Sequence, residues 1–289
     1  MPENFTLINC LLPIPGNAEF MSQIKLNYFY PPINRMNRNI VISVKDLHKK
    51  YNDFHAVKGI SFEVHEGEIF GLLGPNGAGK TTTLEIIETL REKTSGEVKV
   101  AGLNVENDSN EIKKIIGVQL QAAGYYPNLT LTELIRLFSG LYNISADAQS
   151  MLKLVGLEDK AKAKYKELSG GQKQRFSIAT TLINKPNIVF LDEPTTGLDP
   201  QARRNLWELI REIRSKGTTV LITTHYMDEA EQLCDRVAVM ESGKIIAMNT
   251  PDVLIDELVA GGFERKKEVK KANLEDVFLH LTGHEWKDE

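Results

Sequence analysis

The chain has 289 residues, with 35 basic against 39 acidic side chains and a formal net charge of -4, long enough for one or two domains with a buried core. That balance argues against general affinity for nucleic acid or anionic lipid, and no apolar run reaches the length of a membrane span, so the chain itself is not expected to cross a bilayer. Cys10 and Cys234 lie far apart without metal-ligand spacing and read as reduced thiols.

Residues 1–38 contain Pro13, Pro15, Pro31, Pro32 and the internal Met21 and Met36. They read as a poorly ordered N-terminal extension. Leu7-Ile8-Asn9-Cys10 has the faint pattern of a lipoprotein cleavage site, but no basic start precedes it and Pro13 and Pro15 follow, so a signal peptide is rejected.

Residues 68–73 read as a short buried strand. The loop Gly74-Pro75-Asn76-Gly77-Ala78-Gly79-Lys80-Thr81 comes next and fits the G-x-x-x-x-G-K-[ST] pattern, in which glycines let backbone N–H groups turn inward around phosphate oxygens. A helix over 81–90 should follow, with Leu84, Ile86, Ile87 and Leu90 for packing and its N-terminus toward the phosphates. In that geometry Lys80 reaches the β- and γ-phosphates, the Thr81 hydroxyl joins a Mg²⁺ shell, and Thr82 contacts the α-phosphate.

The segment 122–170 has a different, helical character. Thr130-Leu131-Thr132-Glu133 is a capping box, with Leu129 and Leu134 as a hydrophobic staple, and predicts a helix through about 141. Met151, Leu152, Leu154, Val155 and Leu157 continue the helical pattern, and Lys160, Lys162, Lys164 and Lys166 read as a solvated helix face. Leu168-Ser169-Gly170-Gly171-Gln172 then opens a helix expected over about 172–183, offering a hydroxyl, backbone N–H groups and a helix dipole to an anion. The chain already has one complete phosphate cradle at Gly74 to Thr81. A second, incomplete one makes sense if it closes over the phosphates held by another molecule.

The apolar run 188–191 reads as a buried central strand of a parallel sheet and ends in Asp192 and Glu193. Ligands bind at the carboxyl ends of such strands. Asp192 is thereby placed to hold Mg²⁺ through water, and Glu193 to polarise a water for attack on the γ-phosphate. Asp199 before Pro200 predicts an N-cap for a helix over 201–215. Residues 218–224 are rich in β-branched side chains and predict a strand ending at His225. Residues 236–240 and 244–248 flank Glu241-Ser242-Gly243, a hairpin signal, and 251–289 read as a helical tail whose His280 and His284 are ordinary surface histidines.

The ordered set Gly74 to Thr81, Leu168 to Gln172, Asp192 and Glu193 after their strand, Thr196-Gly197-Leu198-Asp199 and Thr224-His225 resembles the ATP-binding cassette (ABC) ATPases over about residues 40–250. The resemblance implies an α/β fold. It consists of a P-loop NTPase core with a mostly parallel sheet, an antiparallel β subdomain and an inserted helical subdomain at about 122–170. It also assigns roles. Gln121 matches the glutamine that contacts Mg²⁺ and the attacking water, with Gln119 as the alternative alignment. Tyr51 is similar to the aromatic that stacks on adenine, and His225 to the switch histidine at the γ-phosphate. Ser169, Gly171, Gln172 and Asp199 would face a second cassette's ATP. The implied protein is an ATP-hydrolysing transporter subunit at the cytoplasmic face of the cell membrane, using ATP and Mg²⁺. It would dimerise on ATP binding, as a homodimer or a pair of cassettes, and dock an integral membrane permease through the helical subdomain, with no nucleic acid as partner. Residues 274–279 resemble the tail of drug-resistance-type exporters, which favours export. The alternatives are a soluble cassette acting on ribosomes or DNA and a nucleotide-binding regulator without hydrolysis. Translation-type members carry two cassettes and chromosome-type members a long coiled coil between motifs, whereas here 89 positions (169 minus 80) separate Lys80 from Ser169.

Overall fold

A computed structural model describes residues 39–119 and 124–263. β1 (Ile40–Tyr51) and β2 (Phe54–His65) form an antiparallel hairpin through a turn at Asn52, which takes φ 49°. β3 (Ile69–Leu73) is buried throughout and runs into the glycine loop and α1 (Lys80–Ile87). β4 (Ser95–Val100) pairs with β1 and with the short β5 (Leu103–Asn104). After α2 (Ser109–Ile115) and β6 (Ile116–Gln119) comes the helical insertion, with α3 (Leu131–Leu141), α4 (Ala148–Leu154) and 3-10 turns at Glu158–Lys160 and Tyr165–Glu167. α5 (Gly170–Thr181), β7 (Ile188–Asp192), α6 (Pro200–Ser215), β8 (Thr219–Thr224), α7 (Met227–Leu233), β9 (Arg236–Glu241), β10 (Lys244–Asn249) and α8 (Pro251–Ala260) complete the described chain.

The larger sheet has the order β10-β9-β3-β8-β7-β6, parallel from β9 to β6, with β10 antiparallel at its edge. The smaller sheet, β2-β1-β4-β5, is antiparallel. Side-chain alternation along β7 divides the hydrophobic interior. Ile188 and Phe190 pack with α1 and with Ile42, Phe62 and Val98 of the antiparallel sheet. Val189 and Leu191 face the other way, onto Phe176 of α5, Leu206 of α6 and Leu131 and Leu134 of α3. Within the insertion Tyr125 sits between Phe138, Tyr165 and Phe176, its hydroxyl hydrogen-bonded to Thr180.

Local rules fix most helix starts. The Thr130 capping box is present in full, with Glu133 N donating to Thr130 Oγ1 and Thr130 N to the Glu133 carboxylate; such a cap contributes about 1 kcal/mol. Three expectations need correction. α1 ends at Ile87 rather than 90, because Thr89 takes φ 63°, and Leu90 is left exposed. α5 begins at Gly170, two residues earlier than anticipated, because Ser169 is its N-cap. The lysine run is not a helix face: it spans the two 3-10 turns, with Lys164 in an isolated bridge to Thr130.

Candidate nucleotide site

The glycine loop joins β3 to α1 through positions that favour glycine by backbone conformation or by close approach. Gly77 and Gly79 take φ of 81° and 100°, and a Cβ on Gly74 would stand 2.2 Å from Met240 O. The hairpin turn between β9 and β10 braces the loop, since Gly243 N donates to Ala78 O at 3.1 Å and Gly243 O accepts from Lys58 N at 2.8 Å. Gly74 N donates to Thr224 O at 3.2 Å, tying the loop to the residue before His225. Pro75, Asn76 and Gly77 are exposed at its tip, Ala78 is buried beneath it, and Thr82 lies half-buried on the helix. The buried Lys80 folds back over the loop, donating from Nζ to Gly74 O at 2.8 Å and Pro75 O at 3.1 Å.

Opposite the loop lie the carboxyl ends of β7 and β8, in a register that sets Asp192 beside Thr223. Thr223 Oγ1 accepts from Glu193 N at 3.0 Å and donates in a short hydrogen bond to Asp192 Oδ1. One hydroxyl therefore orients both carboxylates. Thr81 Oγ1 lies 3.2 Å from each Asp192 oxygen. Burial pushes the Asp192 carboxyl up, while hydrogen bonds from Thr223 and Thr81 hold it back.

Glu193 takes φ 46°, a left-handed backbone rare outside glycine and costing about 1–3 kcal/mol. This turns its carboxylate across the site: Oε1 is 3.6 Å from Lys80 Nζ, and Oε2 accepts from Thr196 Oγ1 at 3.3 Å. His225 Nδ1 stands 3.3 Å from the same Oε2, within ion-pair range though not aligned as a hydrogen bond. A lysine, two carboxylates and a histidine thus converge on one spot. Thr223 was not singled out from the sequence, where it is one of several threonines in a strand; only the register of β8 against β7 gives it its place.

A second group lies elsewhere on the surface. Ser169 and Gln172 engage each other as a capping box, Gln172 N to Ser169 Oγ at 3.3 Å and Ser169 N to Gln172 Oε1 at 3.0 Å. Asp199 caps α6, accepting from Ala202 N at 2.8 Å. The starts of α5 and α6 abut, since a Cβ on Gly171 would meet Ala202 Cβ at 3.3 Å. Ser169 and Asp199 remain exposed. Tyr51, at the end of β1, has Lys49 Nζ and the Arg91 guanidinium 5.0 and 5.4 Å from its ring centre, a pairing the sequence did not suggest. Gln121 lies outside the described residues; Gln119 is buried on β6, its Oε1 without a hydrogen-bond partner among the described residues.

Residues 57–196 match the ABC transporter family. The chain is 38% identical to Nod factor export ATP-binding protein I of Burkholderia orbicola (strain AU 1054), a similarity that covers 86% of this chain and 98% of that protein. This chain belongs to the ABC transporter ATP-binding family. It is also 41% identical to the probable multidrug ABC transporter ATP-binding protein YbhF of Escherichia coli (strain K12), over 86% of this chain and 43% of that longer protein. Among solved structures, an ATP-binding subunit of an ABC transporter superposes with a TM-score of 0.67 at 29% identity, covering 84% of this chain and 99% of that one. The dimeric structure of MJ0796, a bacterial ABC transporter cassette, does so with a TM-score of 0.66 at 29% identity, over 72% and 98%. The chain is accordingly an ATP-binding and ATP-hydrolysing subunit of an ABC transporter, with the cassette's P-loop α/β fold.

Proposed function

We propose that this subunit powers export through a separate integral membrane permease, at the cytoplasmic face of the cell membrane, by closing in pairs around two ATP molecules. The convergence of Lys80, Asp192, Glu193 and His225 on the glycine loop carries the mechanistic part. Gly74 to Thr82 cradle the phosphates, and Lys80 exchanges its loop carbonyls for β- and γ-phosphate oxygens. Thr81 and Asp192 supply hard oxygen donors of the kind Mg²⁺ takes, and Gln121 completes that set. An Mg²⁺ ion held there would neutralise developing phosphate charge. Glu193 accepts the proton of the attacking water, and His225 holds the γ-phosphate. Tyr51 stacks on adenine, displacing its two cations. Ser169, Gly171, Gln172 and Asp199 address the partner cassette's ATP; in the single chain Ser169 and Asp199 are exposed and Gly171 and Gln172 half-buried beside them.

Export is supported by the named function of the Nod factor relative and by the exporter-like tail at 274–279, which lies outside the described residues. The reading of a ribosome- or nucleic-acid-acting cassette gains no support from these relatives. Residues 39–250 serve as the cassette, about 122–170 as the permease-docking subdomain, and 1–38 and 251–289 as flanking segments. Glu193→Gln should keep its ATP affinity and lose turnover by about 10²- to 10⁴-fold; near-normal turnover would remove Glu193 from its role. Affinity purification from membranes should bring a multi-span protein with the chain, and recovery with ribosomes instead would sink the transporter reading.

A further inference from the structure

Two bridges tie α6 to the segment that follows His225, and we propose that together they form a clamp in which Trp207, Glu229 and Arg203 position this histidine. The inner bridge is buried: Trp207 Nε1 donates to Glu229 Oε1 at 3.0 Å, and the Glu229 side chain is wholly inaccessible. The outer bridge starts one turn earlier on the same face of α6. There Arg203 Nη1 donates to Asp228 Oδ2 at 3.1 Å, with the guanidinium 4.3 Å from the Tyr226 ring centre, and that ring is in turn 4.1 Å from the His225 ring. The helix holding both bridges opens at Asp199. A displacement at its N-terminus is therefore carried through a rigid element to His225.

The clamp is also incompletely bonded. Among the described residues Glu229 Oε2, Thr195 Oγ1 and Arg203 Nε are buried without an aligned partner, and Thr195 stands two residues after Glu193. Burial pushes the Glu229 carboxyl up, and the Thr224, Trp207 and Thr195 side chains pull it back. Arg203 pulls in the same direction electrostatically. The orphaned donor Arg203 Nε lies on α6 and the orphaned acceptor Glu229 Oε2 on α7, so a slide of one helix against the other alters which groups can pair at this node. If α6 shifts when the Asp199 surface meets a partner cassette, the clamp carries that event to the histidine.

The inference rests on the reading of His225 as a γ-phosphate contact, and a mutant cycle separates the two. Turnover and ATP affinity are measured for Trp207→Phe, Glu229→Gln, His225→Ala and the Trp207→Phe/His225→Ala double variant. Trp207→Phe should lower kcat by about 10- to 100-fold, as a misplaced group does, with ATP affinity changed by less than about 2-fold. Glu229→Gln, which keeps an acceptor for the indole, should retain most turnover. The double variant should be no slower than His225→Ala alone. Losses that multiply, unchanged turnover in Trp207→Phe, or ATP affinity falling in step with kcat would overturn the clamp. Wild-type turnover in His225→Ala would remove the histidine's role and the clamp with it. Arg203→Gln, on the more accessible outer bridge, carries the same cycle if Trp207→Phe does not fold.

Discussion

Thr223 shows how much of this site is placed by single atoms. Its hydroxyl serves Asp192 and the Glu193 backbone at once, so the two carboxylates keep a fixed relation although Glu193 sits in a strained left-handed turn. A second buried acid has no such support. Glu88, at the end of α1, is 1% exposed with Oε1 unpartnered; burial, with help from Asp192 and Glu85, raises its carboxyl from 4.5 to about 8. The folded chain thus holds this proton where the unfolded chain has lost it. Stability from this group is fully present below pH 4.5 and declines as pH rises to about 8. Glu88→Gln should therefore gain on the wild type as pH rises from 5 to 8, by an amount on the order of a few kcal/mol, read from denaturant midpoints. A difference that does not vary with pH would place the carboxyl in a polar site instead. Asp192, Glu193 and Lys80 were legible as types in a local pattern. Thr223 and Glu88 were not, because their importance comes from pairing and burial between distant parts of the chain.

At the scale of elements, whatever depends on a few adjacent residues could be read directly. The Thr130 and Asp199 caps, the glycine loop between strand and helix, and the β9–β10 hairpin all appear where their side chains dictate. The lysine run departs from a helix face because the backbone there follows two tight turns and a bridge to Thr130, which the charges alone do not encode. Nor does a hairpin signal announce what its turn touches. Gly243 has φ 83°, and a Cβ there would stand 2.6 Å from Ala56 O, while its N–H holds Ala78 of the phosphate loop. Gly243→Ala should destabilise the fold by about 1 kcal/mol or more and weaken ATP binding. Gly217→Ala is the control: it has a similar φ of 95°, but its Cβ meets nothing within 4 Å, so it should cost stability alone. Equal ATP affinities for the two variants, by calorimetry, would show that the turn does not brace the loop.

For the whole molecule, the two groups of functional residues have different standing. The loop, Asp192, Glu193 and His225 gather within one chain, held by long-range sheet register. Ser169, Gln172 and Asp199 instead serve in the single chain as helix caps, and the role proposed for them is to meet a second cassette's phosphates. The loop Gly74 to Thr81 and the segment Leu168 to Gln172 announce both halves in the sequence, but the proposed tie between them, through α6 and its bridges to α7, needed the fold to be seen. Association on ATP is the central claim, and sedimentation of the Glu193→Gln chain tests it most directly, because slowed hydrolysis keeps the closed state populated. With saturating MgATP the sedimenting mass should double relative to the nucleotide-free chain, and Ser169→Arg added to the same background should restore the single-chain mass. A Glu193→Gln chain that binds ATP fully and still sediments as one copy would contradict the account.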